Sequence, residues 1–301
     1  MTELRSEGTG APQHHPDAPL APPTASQGLL EVFRRRYLLR LLVRREISAR
    51  YQGSFLGLIW SYINPLSQFL MFYFIMGKVV GLGSRTENFA IHVFAALIVS
   101  HFFIETFNAG TRSIVRNKAL VKKMAMPREM FPVASMLVSL WHVGPQLVIL
   151  LIACVYAGWT PDPASLVAAA LGISTIMVLG TALALLFSAA NVFFRDFGSA
   201  VSILTNFVRF SVPMIYPYTT VATRFRGHTD LYLANPIADA VLLMQRAFWV
   251  GTTSDPAATV RDQLPAHLYT RGVIALAGSL VILVIAQLVF SRLENRIPER
   301  I

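Results

Sequence analysis

The sequence predicts an all-α integral membrane protein with six transmembrane helices, and three observations support this fold class. Of the 301 residues, 54% are hydrophobic and only 14% are charged, against about 25% charged in a soluble globular domain. Six apolar runs are each long enough to cross the hydrocarbon core of a bilayer, for which about 20 residues suffice. The basic residues cluster in the connections between these runs.

The chain divides into a short tail and one membrane domain. Residues 1–28 are rich in proline, and we expect them to form a disordered cytoplasmic tail. The pair His14-His15 within it is too small a group of ligands to predict a metal site. The domain covers 29–301, and its spans are predicted near 56–80, 89–109, 132–157, 164–190, 198–217 and 271–291.

The segment before the first span has the pattern of an amphipathic helix. Across 29–50, apolar residues recur on one face, while Arg36, Arg40 and Arg44 follow each other at four-residue steps on another. Such a helix lies in the plane of the membrane interface, with its arginines on lipid phosphates. The alternative is a charged leader that only fixes the orientation of the first span.

The distribution of Lys and Arg predicts the orientation. One side of the membrane carries 18 of these residues and the other side 7, with Arg209 inside the fifth run. Both termini are therefore expected in the cytoplasm, together with residues 112–130 between the second and third spans. Apolar residues recur there at helical steps until Pro127, which predicts a cytoplasmic amphipathic helix that could receive a push from a soluble partner.

The longest connection, residues 218–270, is expected on the outer side. Its middle, 231–249, is half apolar and too interrupted to count as a span. We expect a re-entrant pair of short helices, which requires that protein or a water-filled cavity surrounds them. The alternative is a surface helix that packs on the outer leaflet.

Three polar side chains inside the predicted spans need a physical explanation. His101 and Glu105 are one turn apart on the second, and Arg209 is near the middle of the fifth. Such groups are costly in lipid and tend to face a cavity. Either Arg209 faces a central channel and meets an anionic group of a cargo, or it pairs with Glu105 and joins two helices.

The first span is strongly aromatic. Tyr62, Phe69 and Tyr73 share one face, Trp60 precedes them, and Gln68 lies beside them as a hydrogen-bonding group. One interpretation is a path on which sugar rings stack. The alternative is ordinary anchoring at the membrane interface and helix packing.

No catalytic motif is present. The sequence contains no Gly-x-x-x-x-Gly-Lys-[Ser/Thr] loop, no H-E-x-x-H and no G-x-S-x-G. We therefore expect this chain not to be an enzyme and to have no cofactor or metal of its own, so that any ATP-driven work would depend on ATP hydrolysis by another chain. The net charge of +10 fits the positive-inside rule and anionic lipid better than nucleic acid, and the single cysteine excludes a disulfide framework.

Five motifs in order resemble the membrane subunits of polysaccharide-exporting ABC transporters, the Wzm-like and teichoic-acid permeases of the type-2 ABC exporter class. They cover most of the chain from about Arg45 to Gly251. The motifs are Arg45-Glu46-Ile47 with 50–60 and Asn64-Pro65, then 117–123 with Pro127-Arg128-Glu129, then 191–196, then 213–217, and Asn235-Pro236 before Arg246.

The resemblance implies a homodimer in the bacterial inner membrane with two nucleotide-binding ATPase subunits on its cytoplasmic face, where ATP and Mg²⁺ bind. It implies a cargo glycan on a polyprenyl diphosphate, of O-antigen, teichoic-acid or cell-wall galactan type. The family's coupling helix matches 112–126, and the candidate ATPase-coupling residues are Arg112, Arg116, Asn117, Leu120, Lys122, Lys123, Arg128 and Glu129. The family's interface helix also touches the ATPase, and its candidates are Arg36, Arg40, Arg44, Arg45 and Glu46.

The polar and aromatic residues of the predicted spans supply the candidate cargo path, and the resemblance implies an exit gate at the outward Asn-Pro segment. The candidate channel residues are Trp60, Tyr62, Gln68, Phe69, Tyr73, His101, Glu105 and Arg209, and the candidate exit gate comprises Tyr216, Asn235 and Pro236. Two other functions stay open at this point. One is a drug or lipid exporter of the same fold, and the other is a membrane scaffold or glycolipid-binding enzyme subunit without an ATPase partner.

Overall fold

The structure, a computed structural model, describes residues 28–124, 126–225, 227–294 and 296–300. The predicted tail up to residue 27, with His14-His15, lies outside these ranges. Within them all regular structure is helical. The α-helices are α1 (Leu29–Arg34), α2 (Arg36–Tyr51), α3 (Trp60–Met71), α4 (Phe89–Arg116), α5 (Lys118–Lys123), α6 (Met130–Tyr156), α7 (Pro163–Phe193), α8 (Phe197–Ser211), α9 (Tyr218–Arg224), α10 (Thr229–Tyr232), α11 (Pro236–Met244), α12 (Pro256–Gln263), α13 (Leu268–Glu294) and α14 (Ile297–Arg300). Short 3₁₀ segments occupy Gly57–Ile59, Leu82–Ser84 and Val250–Thr252, and π-helical segments occupy Phe72–Val79 and Gln245–Trp249.

Four helices in the described ranges are long and apolar enough to cross a membrane: α4, α6, α7 and α13. They confirm the helices predicted near 89–109, 132–157, 164–190 and 271–291. Helix α4 is the centre of the bundle, because 83% of its most apolar 18-residue window is buried, against 17% in α13. It packs against α6, α7 and α8, and α13 packs against the far side of α7.

Small residues let α4 and α7 approach closely. A Cβ atom added to Gly110 would lie 2.4 Å from the Cβ of Ala184, and one added to Gly180 would lie 3.0 Å from Thr106. Both glycines have ordinary helical backbone angles. Glycine is therefore needed at these positions because there is no room for a side chain between the helices, and not because of its backbone freedom. This small-residue contact is typical of helices that pack within a membrane.

The first and fifth predicted spans have a different form. The first consists of α3, which contains Pro65, and the π-helical turn Phe72–Val79 that continues it. The fifth is α8, whose 15 residues reach about 22 Å, less than the ~30 Å of a hydrocarbon core. Helix α8 ends because Val212 takes an extended backbone before Pro213. The count of six spans therefore stays a prediction.

The two predicted amphipathic segments are each divided. Residues 29–50 form α1 and α2 with a break at Arg35, where ψ is 39°. The predicted helix over 112–126 is interrupted at Asn117, since α4 extends to Arg116 and α5 begins after it. The extension follows burial, because Ser113 and Ile114 are fully buried and continue the core face of α4.

The middle of the long connection 218–270 is enclosed by protein. Every residue of α11 from Ile237 to Met244 is buried, and α11 packs against α4, α7 and α13. Three long helices thus surround it, which contradicts the alternative of a surface helix on the outer leaflet. Enclosure by protein is what a re-entrant segment requires, and the re-entrant role itself stays a prediction.

Candidate functional site

The basic end of the molecule is formed by α5. Its side chains Lys118, Lys122 and Lys123 are exposed, whereas Leu120 is half-buried against the core. Val121 is half-buried against the same core, so two apolar side chains anchor the helix while three ammonium groups face outward. An acidic protein surface would complement it.

Helix α2 runs beside this end with a divided surface. Arg36, Arg40 and Arg44 are exposed, whereas Leu39 and Leu42 are buried in the core. Apolar contact therefore holds α2 on the bundle, and its arginines stay available for lipid phosphates or a partner.

A hydrogen-bonded group joins α2, the predicted interface helix, to residues 112–126, the predicted coupling helix, which we call the coupling segment. The Glu46 carboxylate accepts bonds from Arg116 at 2.5 Å and from the Asn117 side-chain amide at 3.0 Å. The amide oxygen of Asn117 accepts a bond from Arg45 at 3.3 Å, and its nitrogen also donates to the Ser113 carbonyl. We call Arg45, Glu46, Arg116 and Asn117 the Glu46 clamp. It links the interface helix to the break between α4 and α5.

Arg112, a candidate coupling residue, connects α4 to α8 instead of extending freely. Its guanidinium donates to the Gly198 carbonyl at 2.9 Å and to the Ser202 hydroxyl at 2.6 Å. A movement of the coupling segment would therefore act on α8 through this side chain.

Arg128 and Glu129 are buried where the coupling segment enters α6. Arg128 is 8% exposed and donates to the carbonyl of Glu294, and Glu129, which is 1% exposed, accepts a bond from Gln287 at 3.0 Å. Burial, together with the nearby Glu294 carboxylate, raises the pKa of Glu129. Both side chains thus tie α6 to α13 from within the protein.

Inside the bundle, three helices meet at Glu105. Its carboxylate accepts a bond from Arg50 of α2 at 2.6 Å and lies 3.0 Å from the Nδ1 atom of His142 of α6. Tyr51 extends the group, because its hydroxyl lies 2.5 Å from Ser61 and 3.4 Å from the Nε2 atom of His142. We call Arg50, Glu105 and His142 the Glu105 cluster.

The cluster decides one of the alternatives left open by the sequence. Glu105 pairs with Arg50 and His142, and Arg209 has no carboxylate partner among the described residues. The sequence analysis missed His142 entirely. Its signal was an ionisable residue inside the third apolar run, in the half that would lie level with Glu105.

An open polar cavity of about 790 Å³ lies beside the cluster, between α2, α4 and α8. Among the described residues, four arginines and one carboxylate line it, so its charge is strongly positive. The ionisable and polar residues on its wall are Arg50, His101, Glu105, Asn108, Arg112, Arg116, Gln146, Asn191 and Arg209. Guanidinium groups in this number suit a phosphate or diphosphate. In the described ranges, no group of acidic, His or Cys side chains could hold a metal ion.

The aromatic face of the first span lines a different cavity. Tyr62, Phe69 and Tyr73 share one wall of a space of about 860 Å³, as their predicted common face requires. Phe69 packs edge-on against Phe94 of α4, whereas Trp60 is exposed and Gln68 half-buried. The lining is mostly aliphatic and aromatic, so it offers few hydrogen-bonding groups to a sugar.

The candidate exit residues lie near the ends of α8 and α11. The hydroxyl of Tyr216 lies 3.2 Å from that of Tyr232. Asn235 caps α11, since its side chain accepts a bond from the Ile237 amide at 3.0 Å while Pro236 occupies the first helical turn. The Asn-Pro motif therefore fixes where the enclosed helix begins.

An ion pair holds the π-helical continuation of α11 to the start of α7. Arg246 donates to Asp162 at 2.6 Å, and Asp162 also caps α7 by accepting from the Ser165 amide at 2.7 Å. The hydrogen bonds from Arg246 and then from Ser165 lower the pKa of Asp162 to about 2. This pair is the polar anchor of the enclosed segment.

Comparison with known proteins agrees with this geometry. Residues 37–248 match the family model described as ABC-2 type transporter. The chain is similar to the O-antigen export system permease protein RfbA of Myxococcus xanthus, with 29% identity over 220 residues, 73% of this chain and 83% of that protein. Two proteins of the same name from Klebsiella pneumoniae are 22% identical over 262 and 214 residues, which cover 87% and 71% of this chain and 94% and 81% of theirs.

Proposed function

The chain belongs to the ABC-2 type transporter family, and on this basis we propose that it is the permease subunit that exports a lipid-linked polysaccharide across the bacterial inner membrane. Membership of the family confirms the resemblance drawn from the five sequence motifs. The observation that carries the proposal is the exposed, lysine-bearing helix α5, tied through the Glu46 clamp to α2. This is the connection that an ATP-driven partner would need.

ATP hydrolysis takes place on a separate subunit, because this chain has no phosphate-binding loop. Two copies of the permease and two ATPase subunits form the complex, and ATP and Mg²⁺ bind to the ATPase. Closure of the ATPase pushes on α5, and the Glu46 clamp carries the movement to α2 and α4. In this arrangement α3 and α8 complete six spans, with both termini in the cytoplasm.

The polar cavity receives the charged end of the cargo. Its arginines, with Arg209 unpaired among the described residues, would neutralise the diphosphate that joins glycan and polyprenyl chain. Glu105 holds Arg50 in place and lowers the net charge of the wall, which favours release as well as binding. The O-antigen relatives support a glycan cargo.

The test is purification of the chain after co-expression with the neighbouring ATPase gene. Reversal of two charges on α5, Lys122→Glu with Lys123→Glu, is expected to dissociate the ATPase or to uncouple ATP hydrolysis from export. The matched control, Arg292→Glu with Arg296→Glu, reverses two exposed charges at the same end of the bundle, outside α5 and outside the five motifs. The control should retain coupling.

Two results would remove the proposal. If no ATPase co-purifies with the unmodified chain, or if the α5 reversal behaves like the control, α5 is not the contact and a scaffold role replaces transport.

The cargo is tested separately by depleting the chain in cells. Lipid-linked glycan should then accumulate on the cytoplasmic side, whereas a drug exporter would leave its level unchanged.

A further inference from the structure

The apolar cavity beside the first span is a built pocket with a charged mouth. It lies between α3 with its π-helical continuation, the first turn of α4 and the last turns of α6. Its wall is formed by side chains such as Leu66, Leu70, Val148 and Ile152. A volume of about 860 Å³ is in the range of cavities that bind small amphiphiles.

The opening of the cavity faces outward over apolar surface. Val148 is 45% exposed and Ile152 is 53% exposed, and at the end of α6 Tyr156 is 90% exposed. Beside a span, such residues meet hydrocarbon rather than water. The contents of the cavity therefore exchange with the lipid phase.

One cation stands at the end of the cavity, at the level where α4 begins and α6 ends. The Lys78 ammonium lies 5.0 Å from the ring centre of Tyr73 and 5.7 Å from that of Phe74, and no carboxylate pairs with it among the described residues. The nearest acidic residue in sequence, Glu87, is engaged elsewhere, because its carboxylate accepts bonds from the Ser254 amide and hydroxyl. The charge of Lys78 is thus available to a ligand.

We propose that this cavity binds an anionic glycerophospholipid, with an acyl chain between α3 and α6 and the phosphate on Lys78. The apolar wall offers few of the hydrogen-bonding partners that a hydrated glycan needs, and the position of the cation at one end matches a molecule with a single charged head. The site is at the end of the bundle opposite α5 and separate from the polar cavity. Its existence does not depend on the transport proposal.

The experiment is native mass spectrometry of the purified, delipidated complex, titrated with dioleoylphosphatidylglycerol or dioleoylphosphatidylcholine. One basic residue near an anionic headgroup supplies a preference of about five-fold for the glycerol lipid. Lys78→Gln should abolish that preference, and Ala153→Trp, which fills the cavity, should weaken binding of both lipids. Arg85→Gln removes an exposed charge from the following loop and should behave as the unmodified chain.

Equal retention of the two lipids by the unmodified chain would overturn the proposal, and so would equal losses from Lys78→Gln and Arg85→Gln. Two further arms identify other occupants. Displacement of the glycerol lipid by an equimolar amount of undecaprenyl phosphate would assign the cavity to a cargo carrier. Efficient maleimide cross-linking between two copies at Ile152→Cys, in a Cys154→Ala background, would show that a second copy covers it.

Discussion

Removal of the Glu46 side chain is the sharpest test of how the interface helix is held to the coupling segment. Glu46 is bonded to the buried amide of Asn117 and to Arg116, whose side chain is 51% exposed. A hydrogen bond to a charged group contributes about 1.5–3 kcal/mol, and a half-exposed ion pair at most about 1 kcal/mol. Because Asn117 keeps its bond to the Ser113 carbonyl, the lower end applies. We expect Glu46→Ala to cost about 2 kcal/mol.

The assay is the apparent Tm of the purified complex, followed by intrinsic tryptophan fluorescence. A loss of about 2 kcal/mol corresponds to a fall of roughly 3 °C for a chain of 301 residues. Arg44→Ala is the matched control, since Arg44 lies on the same helix, is exposed and has no ion-pair partner in the described ranges. Under the proposed function, in which the clamp transmits movement and α5 binds the ATPase, Glu46→Ala should reduce export more than ATP hydrolysis.

A double-mutant cycle with Asn117→Ala isolates the contact. Neighbouring groups that share a hydrogen bond couple by about 0.5–3 kcal/mol, whereas independent sites add within roughly 0.5 kcal/mol. Additive effects of Glu46→Ala and Asn117→Ala, or equal Tm values for Glu46→Ala and Arg44→Ala, would refute the reasoning.

Three further outcomes follow from the structure. Asp162→Asn should lower the Tm at neutral pH, because the bond from Arg246 depresses the folded-state pKa of Asp162 to about 2. The Tm difference between the unmodified chain and the variant should be full above about pH 4 and should disappear as the pH falls towards 2. The corresponding difference in the free energy of unfolding is about 1 kcal/mol, because solvent screens the half-exposed carboxylate. Gly110→Ala should destabilise the chain by about 1–3 kcal/mol through overpacking against α7, whereas Gly144→Ala, with open space around it, should be neutral or slightly stabilising in the same thermal assay. Arg209→Ala should reduce export at least ten-fold, as measured by accumulation of the lipid-linked glycan, without lowering the Tm. If Arg209 instead stabilised Glu105, the same substitution would lower the Tm.

Much of the fold can be predicted from local sequence, whereas the polar clusters cannot. The helices near 89–109 and 164–190 were predictable because an apolar run of sufficient length has one stable form in a membrane. Helix α8 is shorter than the predicted span because Pro213 ends it. Hydropathy alone does not reveal this, since it counts the apolar residues of the run and not the effect of proline on helix length. The enclosure of α11 depends on the packing of three helices that are distant in sequence.

The Glu105 cluster shows the same limit at the level of side chains. Arg50 and His142 are 92 residues apart, and their contact depends on how α2 and α6 rotate about their axes. Sequence reasoning could identify Glu105 as a costly polar group in a span, but not which partner stabilises it. The sugar-stacking role of Tyr62 and Tyr73 stays a prediction.

The length of α4 sets the scale of any movement that begins at α5. Its 28 residues extend about 42 Å, so a tilt of about 5° at the Asn117 end would displace the opposite end by roughly 4 Å. Three features lie at successive levels along α4: the Glu46 clamp, the Glu105 cluster and the mouth of the apolar cavity. Because α4 is close-packed against α6 and α7, it cannot tilt alone, and the three helices would turn together as a rigid body. A lipid bound near Lys78 would then lie at the end of α4 farthest from α5, where the displacement is greatest.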